Sequence, residues 1–383
     1  MRILVLGGAG AMGMVTVRDL AESNQVSEVI IGDMNLEKAR KIAEWAGGEK
    51  ITVRKIDISS LEDLKQNMRD ADAVANAAPY HLNLTVTKAA IETGKNLTDL
   101  GGVYYMTLKQ LELNNEAEKA GVSIILGCGL APGIADVLAK YGADKMEKVD
   151  EVHIWYGDKS LEPAKYKWSF RTVLEEYTRG PVIYEDGKYK SLPPFSGKSV
   201  VKFPSPVGER PCCYALYSGL ATLPKTIGKG VRKIDCSMSY NSEDEIRIKI
   251  LEEMGLTRTK PVKIGEFEIS PREFLLKCAP PPDVRVRDAS SLIVEVKGEK
   301  NGKRVKYTYS LVQHFHETYK VSAIAFLTGV PLSIVSQMLA KNQIIKTGVL
   351  PPEIAIAPKP FFEELAKRGI KINETMERTV QIS

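Results

Sequence analysis

Apolar residues in the first 130 positions fall in short blocks separated by amphipathic stretches. Residues 2–7, 28–32, 51–55, 73–77, 96–99 and 122–126 are apolar or β-branched runs with the length of buried strands. Between them, Met12 to Glu22 and Leu36 to Ala46 space their apolar side chains as helices do. Strand and helix in alternation predict an α/β fold built on a Rossmann-type, doubly wound parallel sheet. In such a sheet ligands bind outside the carboxyl ends of the strands, where the strand order reverses, so the turns that follow the strands are the places to look for chemistry.

From about Val149 the period changes. Glu151 to Trp155, Ser291 to Val296 and Val305 to Leu311 alternate as strands, the last two joined by a Gly-Glu-Lys-Asn-Gly-Lys turn, which predicts a second, antiparallel or mixed sheet. Connections rich in proline at Pro193-Pro194, Pro204 to Pro211 and Pro280 to Pro282 suit loops that border a cleft. After Gln313 the pattern is helical again, and the last stretch is expected to return to the first unit. Val321 to Ala340 approaches membrane length, but Gly329-Val330-Pro331 interrupts it and Ser322, Thr328, Ser333, Ser336 and Gln337 dilute it, so it reads as two buried helices. Arg2 to Leu6 ends at Gly7 without building a long apolar region, and reads as a strand instead of a leader.

Composition narrows the class without choosing the function. The 383 residues have room for two units, and 44% hydrophobic with 26% charged residues is the balance of ordinary globular proteins. Lys and Arg, 53 in all, are interleaved with 48 acidic residues, so the formal charge of +5 forms no basic block, and neither nucleic acid nor a membrane is an expected partner. Five cysteines without CxxC spacing point to a reducing, cytoplasmic setting and away from a disulfide framework or a zinc site. Cys212-Cys213, His314 and His316 lack the spacing of metal ligands, and Cys128 reads as a small packing residue.

Candidate chemistry begins at Gly8-Ala9-Gly10-Ala11-Met12-Gly13, a GxGxxG directly after a strand and at the start of a helix. In this context Gly8 is expected to make the tight turn, Gly10 to admit the pyrophosphate of a dinucleotide, and Gly13 to allow close helix packing. Asp33, twenty residues beyond Gly13, ends the second strand, where a carboxylate accepts hydrogen bonds from ribose hydroxyls and repels a 2′-phosphate. NAD is therefore expected in preference to NADP, with Arg40 on a helical register and more simply solvated. Asp57, after the third strand, suits either the adenine side of the site or the cap of a helix starting near Ser59.

Ala77, Ala78 and Pro79 follow the fourth strand with small residues along which a cofactor can lie, and place Tyr80 and His81 within reach of the nicotinamide. His81 can take a proton as a neutral imidazole, or is simply a surface histidine at a helix start. Asp99, Leu100, Gly101 and Gly102 end the fifth strand at the same sheet edge, with Asp99 a candidate to orient an amine or the cofactor's carboxamide. Trp168 and Arg171 precede an amphipathic stretch, and the planar fork of Arg171 suits a substrate carboxylate.

Together VLGGAGAMG, AAPYHLN, TDLGG, GLAPG and the C-terminal TGVPLSIVSQMLAKNQIIKTGVLPPE resemble the saccharopine dehydrogenase-like family over nearly the whole chain. The resemblance implies a dinucleotide-binding Rossmann domain at 1–130, an inserted α/β substrate and dimerisation domain with a mixed sheet at 131–318, and C-terminal helices at 319–383 that return to the first domain. It also implies a homodimer and a small-molecule amino-acid substrate. Two departures sort the substrates. Members that form saccharopine from glutamate tend to carry Leu-Asp-Pro-Gly where this chain has Leu130-Ala131-Pro132-Gly133, and Asn-Arg-Asp-Ser where it has Tyr217-Ser218-Gly219-Leu220. Ser218 thus stands where a carboxylate-binding arginine would, and Arg210 is the place to look for a second one. The pattern is more similar to the lysine 6-dehydrogenases of the family, implying NAD-dependent oxidation of the ε-amine of L-lysine to a semialdehyde that cyclises, with Tyr80, His81 and Asp99 as candidate catalytic groups. A saccharopine or carboxynorspermidine dehydrogenase is the alternative within enzymes, and a non-catalytic dinucleotide-binding regulator the alternative outside them.

Overall fold

A computed structural model describes residues 1–162 and 166–379; residues 163–165, inside the expected substrate domain, and 380–383, at the end of the expected C-terminal region, lie outside the described residues. The first six strands are β1 (Arg2–Leu6), β2 (Glu28–Asp33), β3 (Ile51–Lys55), β4 (Ala73–Asn76), β5 (Asn96–Asp99) and β6 (Ser123–Ile125). All pair in parallel, in the order β3-β2-β1-β4-β5-β6. The order reverses between β1 and β4, which leaves a crevice at their carboxyl ends. β1 is apolar at nearly every position because both of its faces are covered: Ile3 and Val5 join one core cluster, Leu4 and Leu6 another.

The second sheet contains β7 (Lys148–Ser160), β8 (Val182–Glu185), β9 (Lys188–Ser191), β10 (Ser199–Lys202), β11 (Glu209–Tyr214) and β12 (Lys233–Ser239), and a small hairpin of β13 (Val262–Ile264) and β14 (Phe267–Ile269) stands apart. β15 (Asp288–Lys300) and β16 (Lys303–His314) form its longest hairpin. The sheet is mixed, with β12 parallel to β7 and the other pairs antiparallel. The six-residue turn expected between β15 and β16 is a correction. Only Asn301 and Gly302 turn, at φ 51° and 68°, because Asn-Gly accepts the two left-handed conformations of a tight hairpin and lets the strands run on to Lys300 and Lys303.

The chain after His314 does not return as helices alone. β17 (Gly348–Leu350) adds a seventh parallel strand beside β6, and β18 (Asn373–Arg378) extends the second sheet beside β16. The segment read as two helices is one, Ala323–Ala340, with Pro331 inside it. The proline removes one backbone donor, a cost of about 3 kcal/mol. Burial of Phe326, Leu327, Val330, Leu332, Ile334 and Val335, each 2% exposed or less, outweighs that at about 1.5–3 kcal/mol per side chain. This helix is long and apolar enough to cross a membrane, yet it lies mostly buried within the protein against helix Gly13–Glu22. A Cβ on Gly329 would stand 2.6 Å from the Cβ of Val15, so only glycine permits the approach. The Thr16 hydroxyl donates to the Gly329 carbonyl (2.8 Å), and Ser333 donates to Asp19 (2.5 Å), which also accepts from Arg368 (2.6 Å).

Candidate functional site

A cavity of about 630 Å³ opens at the crevice between β1 and β4 and continues under helices Phe170–Thr178 and Pro271–Cys278 of the second unit. Its first wall is the glycine-rich loop. The left-handed residue of the turn is Gly7 (φ 69°), not Gly8; a Cβ on Gly8 would press on Ile31 and Val17, so Gly8 serves packing. Gly10, Ala11 and Met12 face the cavity. Gly13 lies beneath, where a Cβ would come within 2.3 Å of the Gly7 carbonyl oxygen, and helix Gly13–Glu22 therefore starts tight against the loop. Met14, Val15 and Thr16 in its first turn donate to the Gly10 and Met12 carbonyls, so the loop N–H groups just ahead of them, with the glycine cradle and the positive end of the helix, are what fit a dinucleotide pyrophosphate.

Asp33 lies at the cavity's far end, accepting from the Ala9 N–H (3.2 Å) and the Asn35 N–H (2.9 Å), with Lys38 beside it on the lining. Arg40 is exposed and not part of the lining. Asp57 is not part of it either, a correction to the adenine-side expectation. Its carboxylate is taken by the N–H (2.9 Å) and hydroxyl (2.6 Å) of Ser59, which hold it below the usual carboxylate range. The helix cap, the other role open to it, is provided by Ser60.

Ala77, Ala78, Pro79 and Tyr80 form the middle of the cavity with Leu100, Gly101 and Gly102, while Leu130, Ala131 and Pro132 close it from the turn after β6. Burial pushes the Tyr80 phenol up, reinforced by Glu175 and opposed by Arg272 and Arg171. Gly102 is required here, because a Cβ would lie 2.4 Å from that of Tyr80. His81 is exposed on the rim outside the lining; partial burial and the charge of Arg171 lower its pKa.

Asp99 is not at the cavity surface. It is 1% exposed and accepts from the N–H groups of Gly101 (2.7 Å) and Gly127 (2.8 Å) and from the Gln110 amide (2.8 Å), while burial pushes its carboxyl up. Asp99 therefore braces the turn after β5 against the turn after β6 and has no lone pair turned to a substrate, which corrects its assignment as a catalytic candidate. Ser218 is likewise buried and absent from the lining, lying under Gly101. At Gly219 a Cβ would stand 2.1 Å from Asp136 Oδ1, so the buried Asp136 carboxylate fills the space there. Cys128 is buried and its thiol pushed up by desolvation, as suits packing.

In the second unit Trp168 and Arg171 reach the cavity. Arg171 is not a free clamp, however: both of its terminal nitrogens donate to Glu273, at 2.8 and 2.7 Å. Glu273 comes from 102 residues further on, which no local pattern reveals. Pro280, Pro281 and Pro282 border the cavity as expected, whereas the proline-rich stretches at 193–194 and 204–211 do not. Arg210 is outside the lining, donating to Asn241 (3.1 Å).

Sequence reasoning missed Glu176. It lines the cavity on the same helix face as Thr172, four residues away, and its Oε2 is buried without a hydrogen-bond partner. Burial pushes its carboxyl up to about 8, only partly opposed by the Trp168 indole. The available signal was the spacing Trp168, Thr172, Glu176, which puts an acid on the face opposite the buried Phe170, Val173, Leu174 and Tyr177.

Residues 3–125 match the saccharopine dehydrogenase NADP binding domain, and residues 129–370 the saccharopine dehydrogenase C-terminal domain. Over 394 residues, 97% of each chain, the protein is 24% identical to carboxyaminopropylagmatine dehydrogenase of Synechocystis. It is 24% identical to carboxynorspermidine synthase of Vibrio cholerae over 95% of this chain and 94% of that one. Its fold is that of saccharopine dehydrogenase (L-Glu forming) from Saccharomyces cerevisiae, with a TM-score of 0.73 at 21% identity over 98% of this chain and 99% of that one. With both domain matches in chain order and together spanning most of the sequence, the protein belongs to the saccharopine dehydrogenase family.

Proposed function

We propose that this oxidoreductase of amines acts on L-lysine, oxidising the ε-amine with NAD and releasing a semialdehyde that cyclises. The observation that carries the substrate choice is the charge of the cleft. Among the described lining residues of the second unit the cations are Arg171, which is paired with Glu273, and the exposed Lys277, and neither Ala131, at the cavity, nor Ser218, beneath it, adds another. A cleft so equipped suits an amino acid with a single carboxylate. Saccharopine carries more carboxylates than this wall can match, and a buried unpaired carboxylate costs several kcal/mol, of order 3–5.

Bound NAD supplies the hydride acceptor. The chain's task is to hold the carbon next to the amine within about 3.5 Å of that acceptor and to keep bulk water away. Tyr80 and the Gly101-Gly102 turn form the wall suited to this, and Asp99 fixes the turn from behind. With its phenol pushed up, Tyr80 remains neutral near pH 7 and orients the substrate by hydrogen bonding. Asp33 favours NAD over NADP by like-charge repulsion of a 2′-phosphate, although Lys38 on the same lining offers such a phosphate a cation.

A second reading is favoured by the relatives, since carboxyaminopropylagmatine dehydrogenase and carboxynorspermidine synthase match nearly the whole chain. On that reading the substrate is a secondary amine bearing one carboxyl group. Purified protein incubated with NAD or NADP and with L-lysine, saccharopine or carboxynorspermidine separates the readings by absorbance at 340 nm. Reduction with L-lysine supports the first, and reduction with carboxynorspermidine alone replaces it with the second.

A further inference from the structure

We propose that Glu176 recognises the substrate's amine in the cleft and accepts the proton that the ammonium loses before hydride leaves the adjacent carbon, an assignment that rests on the amine-oxidoreductase reading above. The first support is what surrounds the residue. Every other carboxylate nearby is engaged: Glu175 with Arg272 and Arg179, Glu273 with Arg171, and Asp33 with two backbone N–H groups. Among the described carboxylates that line the cavity, Glu176 is the one with a buried oxygen, Oε2, that has no partner. Its immediate neighbours are neutral: Tyr156, whose hydroxyl is turned to Met238 Sδ (3.3 Å), Tyr177, Cys213 and the Trp168 indole. The charged groups of the second unit that share the cavity are the Arg171–Glu273 pair and Lys277, which is exposed. Among the described residues no cation meets Glu176, so a cation for it comes from the ligand.

The second support is chemical. An ammonium has no lone pair, so hydride cannot leave the neighbouring carbon until a proton has gone. Asp99 is sealed behind the turn, Tyr80 is a neutral phenol, His81 stands outside the lining, and Glu273 and Asp33 are engaged, which leaves Glu176 as the base on the cavity wall. In its ionised form it pairs with the ammonium; the N–H bond breaks, an O–H bond forms, and the amine becomes neutral. Hydride then passes from carbon to the nicotinamide, the substrate becomes an iminium ion, and water converts it to aldehyde and an ammonium ion, with the carboxyl proton released to solvent. A carboxyl pushed up to about 8 is matched to this work at mildly alkaline pH.

The test is Glu176→Gln, which keeps shape and removes the base, with Glu176→Asp beside it. The expected result is a loss of kcat/KM for L-lysine of about 100-fold or more. The rise of kcat/KM with pH through about 8 disappears in Glu176→Gln and is partly restored in Glu176→Asp, while NADH affinity by fluorescence stays within about twofold. A Glu176→Gln enzyme with more than a third of the wild-type kcat/KM and the same pH dependence overturns the proposal. If the wild type oxidises carboxynorspermidine and not lysine, the substrate reading fails and the same comparison is made on that amine. If it oxidises none, calorimetric titration of 1,5-diaminopentane into the NADH-loaded protein decides: binding lost in Glu176→Gln supports the role, while binding equal in both proteins or absent from the wild type overturns it.

Discussion

Removing the Asp99 side chain should damage the protein far more than neutralising it. Asp99→Ala leaves the Gly101 and Gly127 N–H groups without an acceptor in a region sealed from water, and leaves the Gln110 amide only its bond to Thr87. Each buried donor left unpaired costs about 1–3 kcal/mol, so two cost about 2–6 kcal/mol. Asp99→Asn behaves differently. Its Oδ1 keeps both backbone bonds, and Gln110, whose Oε1 has no partner, can turn over to accept from the new amide. The expected loss is under about 1 kcal/mol, with kcat within about threefold of wild type. Urea unfolding and steady-state turnover measure the two quantities. The bracing role is refuted if Asp99→Asn folds and binds NADH normally yet abolishes turnover, since that places the carboxylate in the chemistry.

Gly13→Ala drives a methyl to 2.3 Å from the Gly7 carbonyl and 2.9 Å from Gly8 Cα, both backbone, so the loop must shift; a cost of about 1–3 kcal/mol and at least a tenfold loss of NADH affinity by fluorescence are expected. Asp33→Ser should narrow the preference for NAD over NADP, and an unchanged ratio of kcat/KM values would show that Asp33 does not set it. Arg171→Ala removes a half-exposed ion pair of small stabilising value, so it should raise the KM for the amino acid several-fold while moving the melting temperature little. Burial pushes Glu353 up to about 8 and its neighbour Asp136 up to about 6, both above their unfolded values. Their stabilising contribution is complete below about pH 4 and is lost as pH rises through about 6 and then about 8, because the folded state holds their protons more tightly. Glu353→Gln should therefore flatten the fall of Tm between pH 7 and 9, and an identical slope in both proteins would contradict this.

The first sheet was legible because its strands, buried on both faces, stand out as continuous apolar runs, and because the glycine-rich turn sits where strand passes to helix. What sequence could not show was tertiary. Gly7 and Gly8 are adjacent glycines, and only the backbone path assigns the left-handed conformation to the first. Pro331 looks like a helix break, yet the segment stays helical because its apolar faces are enclosed on several sides. Asp99 carries the same side chain whether it faces a ligand or two backbone amides, and its partners lie 2, 11 and 28 residues away. Arg171 lines the cavity, but its partner Glu273 arrives from a distant helix. Glu176 was hidden among ordinary helix-surface acids, and only the fold separates it from Glu175, which is paired with arginines.

The most direct test of the central claim is reduction of NAD at 340 nm by the purified protein with L-lysine at mildly alkaline pH, run in parallel with saccharopine and carboxynorspermidine. The account predicts turnover with L-lysine at a kcat/KM well above that for either secondary amine, and higher with NAD than with NADP. Turnover confined to a secondary amine, or none with any amine, would contradict it.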